Sequence, residues 1–242
     1  MRATRFEFNY RFWIIAILFW IGFSLYRFDD VNFGVGLLKW IAPSVTPDSP
    51  RGNSWLRLIF LCGAVLVFLA ALLRTWATAY LRAEVVHDSG FHSEALVADG
   101  PYRYVRNPLY LGTLLMTAGL GMMASRLGWL VLVLGMCIFQ YRLILREEHE
   151  LVQSQGESFR AYLGAVPRLL PALRPRVRTG GTKPRWAQAL VGEMFFWLFG
   201  AAMVVFSITL RAKPAVILIG ISLAGYVVLI LLLKRRGQKA VA

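Results

Sequence analysis

Long stretches without a charged residue alternate along this chain with short polar ones. Residues 12 to 26, 58 to 73, 107 to 125, 127 to 141, 194 to 210 and 214 to 233 each lack Asp, Glu, Lys and Arg. They predict an all-α fold, a polytopic membrane protein of about six transmembrane helices. Several runs fall short of the ~20 apolar residues a span requires. Arg11, Arg27, Arg57 and Arg74 flank them, and an arginine stem can cross the apolar layer while its charge stays in water. The first run follows Met1-Arg2-Ala3-Thr4-Arg5, but no small-x-small cleavage site follows Tyr26, so it reads as an anchor rather than a secretory signal. Between the first two runs, "VNFGVGLLKWIA" is too short to cross and reads as interfacial or re-entrant, with "PSVTPDSPRGNS" as loop.

Composition supports the bilayer assignment. Hydrophobic residues make up 57% and charged ones 17%, against about 25% charged in a typical soluble domain. Six crossings put both termini on one side, together with 74 to 106 and 142 to 185, and that side carries 20 of the 27 Lys and Arg residues. The positive-inside rule makes it cytoplasmic. The formal charge of +14 then faces a leaflet rich in anionic membrane lipids. Nucleic acid is not the expected partner, because the basic residues flank membrane spans and no stacking platform or helix-turn-helix pattern accompanies them. Cys62 and Cys137 both lie in apolar runs, which supports neither a disulfide framework nor a Cys-rich metal site. No repeat of fixed period is visible.

Polar residues gather in two stretches on the cytoplasmic side, 84 to 112 and 139 to 171. In the first, Gly100-Pro101 predicts a turn, and Pro108 at a first helical position with Asn107 capping predicts a helix start. Tyr102, Arg103, Tyr104, Arg106 and Tyr110 then read either as interface anchors or as a ligand site, since a helix N-terminus suits a carboxylate or phosphate. In the second, Gln140, Ile144 and Glu147 share one helix face, and Glu147 and Glu148 arrive where the chain leaves the hydrocarbon. Those acids either pair with Arg142 or Arg146, or meet solvent, or one of them holds a ligand's ammonium group. Glu148, one position round the helix, is expected to face Arg142 or solvent. Leu151, Val152, Phe159, Tyr162, Leu163 and Val166 recur near helical spacing and predict an interfacial piece. His87, Asp88, His92 and Glu94 match no zinc spacing, so no metal site is expected.

Taken together, these stretches resemble the isoprenylcysteine carboxyl methyltransferase and phospholipid methyltransferase superfamily of membrane enzymes. The pattern appears as Gly100-Pro101-Tyr102, then Arg106-Asn107-Pro108-Leu109-Tyr110-Leu111-Gly112. A helical hairpin follows, then Glu147-Glu148-His149-Glu150-Leu151, Gly156-Glu157-Ser158-Phe159, Tyr162 and Pro167 to Pro171. The resemblance covers about residues 80 to 172. It divides the chain into N-terminal membrane helices (1–82), a methyltransferase-like core (83–172), a basic linker (173–185) and a C-terminal membrane helix pair (186–242).

The resemblance implies S-adenosylmethionine as methyl donor, bound at the cytoplasmic face between the hairpin ends. It also implies a lipid-soluble acceptor, an isoprenylcysteine-like carboxylate or a phospholipid amine. Carried over by position, His87, Glu94, Ala95, Leu96 and Val97 line the adenosine side. Tyr102, Asn107, Pro108 and Tyr110 continue the pocket, and Glu147 holds the donor's amino group. Asn107 stands where the family usually has histidine, and Asn does not titrate near neutral pH, so it can bind but not transfer a proton. Four positions before Glu147, where the family carries a substrate-binding arginine, this chain has Leu143, with Arg142 and Arg146 as neighbours for the acceptor. An amine acceptor must lose a proton, for which Glu148, His87 or His149 are the candidates; a carboxylate acceptor needs no base. Sterol reductases share the C-terminal motifs but use NADPH and carry an acid after the motif glycine, where this chain has Thr113. A scaffold or transporter is the non-enzyme alternative, though a transporter places polar residues near the midplane. The motifs specify neither the acceptor nor an oligomeric state.

Overall fold

A computed structural model describes residues 2–85 and 99–239. Every regular element among them is helical, apart from an isolated bridge pairing Asn32 with Ser125. A short α1 (Arg5–Asn9) leads into α2 (Arg11–Ser24). The 31–42 patch forms α3 (Phe33–Ile41), and α4 runs from Pro50 to Val85. The hairpin is α5 (Pro108–Gly121) and α6 (Arg126–Gln155), followed by α7 (Glu157–Ala165). The C-terminal part comprises α8 (Trp186–Gly192), α9 (Met194–Thr209) and α10 (Ala212–Lys239).

Each of the six uncharged runs falls in a helix, but the expectation of six spans is reduced. Among the described residues α4 and α6 are long and apolar enough to cross a membrane, and α8 with α9, bent by 58° at Glu193, makes a third if the pair counts as one span. The reason is length: α2 and α5 have 14 residues each, which rise about 21 Å against a hydrocarbon core of about 30 Å. The loop expected over 43–54 is also shortened. Ser49 accepts from Gly52 N at 2.9 Å and Pro50 takes the first helical position, so α4 begins inside it.

The core is an intersection of α4, α5 and α9, where small side chains of α4 (Ala64, Ala70, Ala71) let Met116, Leu120, Phe199 and Met203 pack closely. On the other side of the hairpin, α6 lies against α2, burying Phe139 and Leu143 with Ala3. The far turn of the hairpin is fixed by polar groups. Asn32 Nδ2 donates to the carbonyl of Met123 at 3.1 Å, Tyr26 Oη donates to the same carbonyl at 2.7 Å, and Asp29 pairs with Arg126 at 2.9 Å. Backbone carbonyls of a tight turn otherwise have no partner in an apolar surrounding, so these contacts hold α5 and α6 antiparallel. Their opposite ends meet at the site.

Candidate functional site

The site is assembled where α4 ends, α5 begins and α6 ends. Gly100 has φ +57° and a Cβ there would meet the Tyr80 ring, so only glycine fits the turn that starts the 3-10 segment Gly100–Arg103. That turn buries Pro101 and Tyr102, and Tyr162 Oη of α7 donates to Tyr102 O at 2.8 Å. Burial raises both the Tyr102 and Tyr162 hydroxyls above the usual phenol range, so each is a neutral donor. Gly100→Ala is expected to destabilise the protein by about 1–3 kcal/mol through backbone strain alone, with more from the Tyr80 clash. A thermal unfolding midpoint unchanged from wild type would contradict this account of the turn.

Pro108 opens α5 as expected, but Asn107 does not cap it through its side chain. Its amide is engaged elsewhere: Nδ2 donates to Glu148 Oε1 and to Arg168 O, each at 3.2 Å. Glu148 also accepts from Arg168 Nη2 at 2.9 Å and Nε at 3.1 Å. The expected pairing of Glu148 with Arg142 or solvent is therefore replaced by a buried cluster with Arg168 and Arg106. Hydrogen bonding to Glu148 holds the Arg168 guanidinium above its ordinary value, while burial lowers that of Arg106. Arg106 Nη1 donates to Leu163 O at 2.9 Å. Its Nε lies 3.4 Å from Glu148 Oε1 without hydrogen-bond alignment and remains an unsatisfied buried donor.

Glu147 faces the same space on different terms. Tyr110 Oη donates to its Oε1 at 2.6 Å, and no hydrogen bond to its Oε2 arises from the described residues. A cavity of about 160 Å³ connects these groups, lined by Tyr102, Arg106, Asn107, Glu147, Glu148 and Gln155, with Leu81, Leu151, Phe159 and Tyr162 as its apolar walls. The volume lies below the roughly 300–1,000 Å³ of small-molecule sites. His87, Glu94, Ala95, Leu96 and Val97, assigned to the adenosine side, lie outside the described residues, and so does any contribution they make to this wall. The polar chemistry fits an aminoacyl end: a carboxylate oxygen free for an ammonium, and two buried polar atoms without partners, Arg106 Nε and Gln155 Oε1.

Tyr102, Asn107, Glu147 and Glu148 are thus brought to one cavity; Tyr110 reaches it through Glu147, and Pro108 sets the helix start beside it. Arg142 and Arg146 are not brought there. Arg142 Nη2 pairs with Glu7 at 2.8 Å, which pulls the Glu7 carboxyl down to about 2, and Arg146 pairs with Glu150 at 2.7 Å and donates to Ala3 O at 3.2 Å. Both face the N-terminal segment, as does Leu143. Sequence reasoning missed Arg168, Tyr141 and Gln155. Arg168 Nη1 donates to Tyr141 Oη at 2.8 Å, a pairing across 27 positions that no local spacing reports. Among the described residues no group of three or more His, Cys, Asp or Glu could hold a metal ion.

Residues 58–156 match the model of a family described as phospholipid methyltransferase. The chain is 30% identical over 116 residues to the cobalt-zinc-cadmium resistance protein CzcN of Cupriavidus metallidurans, covering 48% of this chain and 50% of that protein. It is 27% identical over 130 residues to the nickel-cobalt-cadmium resistance protein NccN of Alcaligenes xylosoxydans xylosoxydans, covering 53% and 58%. The matches thus span about half the length of these curated relatives. No solved structure matches.

Proposed function

From the premise that residues 58–156 belong to the phospholipid methyltransferase family, we propose that this chain is a multi-pass integral membrane enzyme. It moves a methyl group from S-adenosylmethionine to a lipid-soluble acceptor. The observation that carries the reading is Glu147, inside the matched segment, fixed through one oxygen by Tyr110 and free at the other where it lines the cavity. Bound there, S-adenosylmethionine supplies an electrophilic methyl group on a sulfonium that is already a good leaving group. Glu147 would hold the ammonium, Asn107 and Arg106 would orient polar groups beside it, and Tyr102 and Phe159 would exclude water. The contribution asked of the protein is alignment in a dry site.

A lipid-soluble acceptor is supported by a second cavity of about 670 Å³ between α2, α5, α9 and α10, walled by Phe12, Phe19, Trp20, Met116 and Phe199 among others. Ser24 is its polar exception, and that hydroxyl already donates to Trp20 O. The excess of basic residues at the site's end of the bundle supports a cytoplasmic site facing anionic lipids. Titrating purified protein with radiolabelled S-adenosylmethionine and with NADPH tests the donor: saturable binding of the first and none of the second is expected, and the reverse would move the chain to the reductases. The relatives' names favour a second reading, a role in metal tolerance. A host whose cadmium tolerance rises equally with wild type and with Glu147→Gln would separate that role from methyl transfer.

A further inference from the structure

The segment joining α7 to α8 takes little part in the cavity, yet it is ordered across the same end of the bundle. Ala172 N donates to Tyr104 O at 2.9 Å, Arg176 N to Arg103 O at 2.8 Å and Arg185 N to Ala79 O at 3.0 Å. Arg103 Nε returns a bond to Val177 O at 3.0 Å. The strap's turn is gathered by buried Asp99, which accepts from Thr179 Oγ1 at 2.5 Å and from Gly180 N and Thr182 N, each at 2.8 Å. Burial by itself would raise the Asp99 carboxyl, but these bonds together hold it below its ordinary value, as an anion. Pro171, Pro175 and Pro184 stiffen the path further.

The backbone of this strap is therefore tied to the protein, while its charged side chains are not. Arg174, Arg176, Arg178 and Lys183 are all exposed, and none forms an ion pair with a described residue. No Asp or Glu occurs in the sequence between Glu157 and Glu193 to neutralise them locally. Large apolar side chains flank these cations: Leu170 is 81% exposed and Leu173 100%, and Trp186, three positions after Lys183, is 47% exposed. Cations interleaved with exposed leucine and tryptophan suit a head-group boundary, where charge meets phosphate and the apolar tips reach the acyl layer. The strap follows Arg168, which pairs with Glu148 of α6, and ends with Arg185 bonded to Ala79 of α4, both helices long enough to cross.

We propose that residues 170–186 form a docking surface for anionic phospholipid head groups of the leaflet at that end of the helices. The strap lies flat on the leaflet, Leu170, Leu173 and Trp186 entering it and the four cations engaging phosphates. This rests on the strap's own charge and exposure and not on the methyl-transfer reading; donor titration tests that reading separately.

The test uses the full chain with Cys62→Ala and Cys137→Ala, a Leu173→Cys change labelled with a bimane fluorophore, and nanodiscs of phosphatidylcholine alone or mixed with phosphatidylglycerol. Bimane emission should shift to the blue and iodide quenching should fall several-fold in the anionic discs only. Salt near 1 M, where the screening length is about 3 Å, should restore the quenching. Arg174→Gln, Arg176→Gln, Arg178→Gln and Lys183→Gln combined should behave in anionic discs as the parent does in neutral ones. If that variant fails to fold, the parent's comparison between the two discs decides alone. Equal quenching in both discs, whether strong or weak, overturns the proposal. Protection by added polyglutamate but not by anionic lipid overturns it too, and assigns the surface to an acidic protein partner.

Discussion

Glu147→Gln is expected to weaken binding of S-adenosylhomocysteine by roughly ten- to a hundredfold. A charge-assisted bond between an ammonium and a carboxylate contributes ~1.5 to 3 kcal/mol, and 1.4 kcal/mol is a factor of about ten. Tyr110 holds one oxygen at 2.6 Å, so the side chain is already oriented before a ligand arrives and little ordering cost offsets the contact. The amide keeps the size and shape of the acid, so packing loss cannot account for the change. Glu148→Gln should behave differently. Glu148 balances Arg168 and Arg106 at once and accepts from Asn107, so neutralising it leaves two guanidinium groups facing each other. The expected signature is a fall in thermal midpoint, with any loss of affinity following the loss of structure. Calorimetric titration of both variants beside their unfolding curves separates the two. Equal affinities for wild type and Glu147→Gln would remove Glu147 from the site, and with it the main support for a donor pocket here.

How much of this was legible in the sequence depends on how far apart the partners are. The uncharged runs gave helices because a span must satisfy its backbone internally, and Pro108 gave a helix start because its missing N–H costs nothing there. The Ser49-Pro50 pair carries the same signal for α4, but it is masked by the Pro, Ser and Asp around it, which read as loop. The Asn107 side chain departs from the expected cap because capping is judged from neighbours in sequence, whereas its amide is oriented by donating to a carboxylate 41 positions away. Arg168 closes on Glu148 across 20 positions, and the spacing of a loop residue after Pro167 has no periodicity to report it. The number of spans is met only in part, with two or three among the described residues, because the absence of charge in a run marks what tolerates lipid, not how long the helix is.

The C-terminal helices lie outside the matched segment, yet one of their residues should be among the most costly to change. Glu193, at the bend between α8 and α9, is buried and takes Arg74 Nε at 2.8 Å, Arg74 Nη2 at 3.2 Å and Thr78 Oγ1 at 2.7 Å. The guanidinium also bonds Leu109 O and Thr113 Oγ1, each at 3.0 Å, and lies over the Phe196 ring. A Cβ at position 112 would meet the Arg74 stem, so Gly112 gives that side chain its passage. Arg74 therefore fastens the first turn of α5, which carries Tyr110, to a charge on α9's doorstep. Glu193→Ala is expected to cost about 3–5 kcal/mol, the range for leaving one buried charge of a pair without its partner. Arg74→Met combined with Glu193→Leu should recover most of that, because an apolar replacement of a buried pair is often neutral, Thr113 Oγ1 already donates to Leu109 O, and the Thr78 hydroxyl can turn to a carbonyl of its own helix. Reversible unfolding in mixed micelles with increasing dodecyl sulfate measures all three proteins. A single Glu193→Ala variant as stable as wild type would mean that the pair does not hold the bend. A double variant no better than the single would mean that the charge itself, rather than its isolation, is what the fold requires.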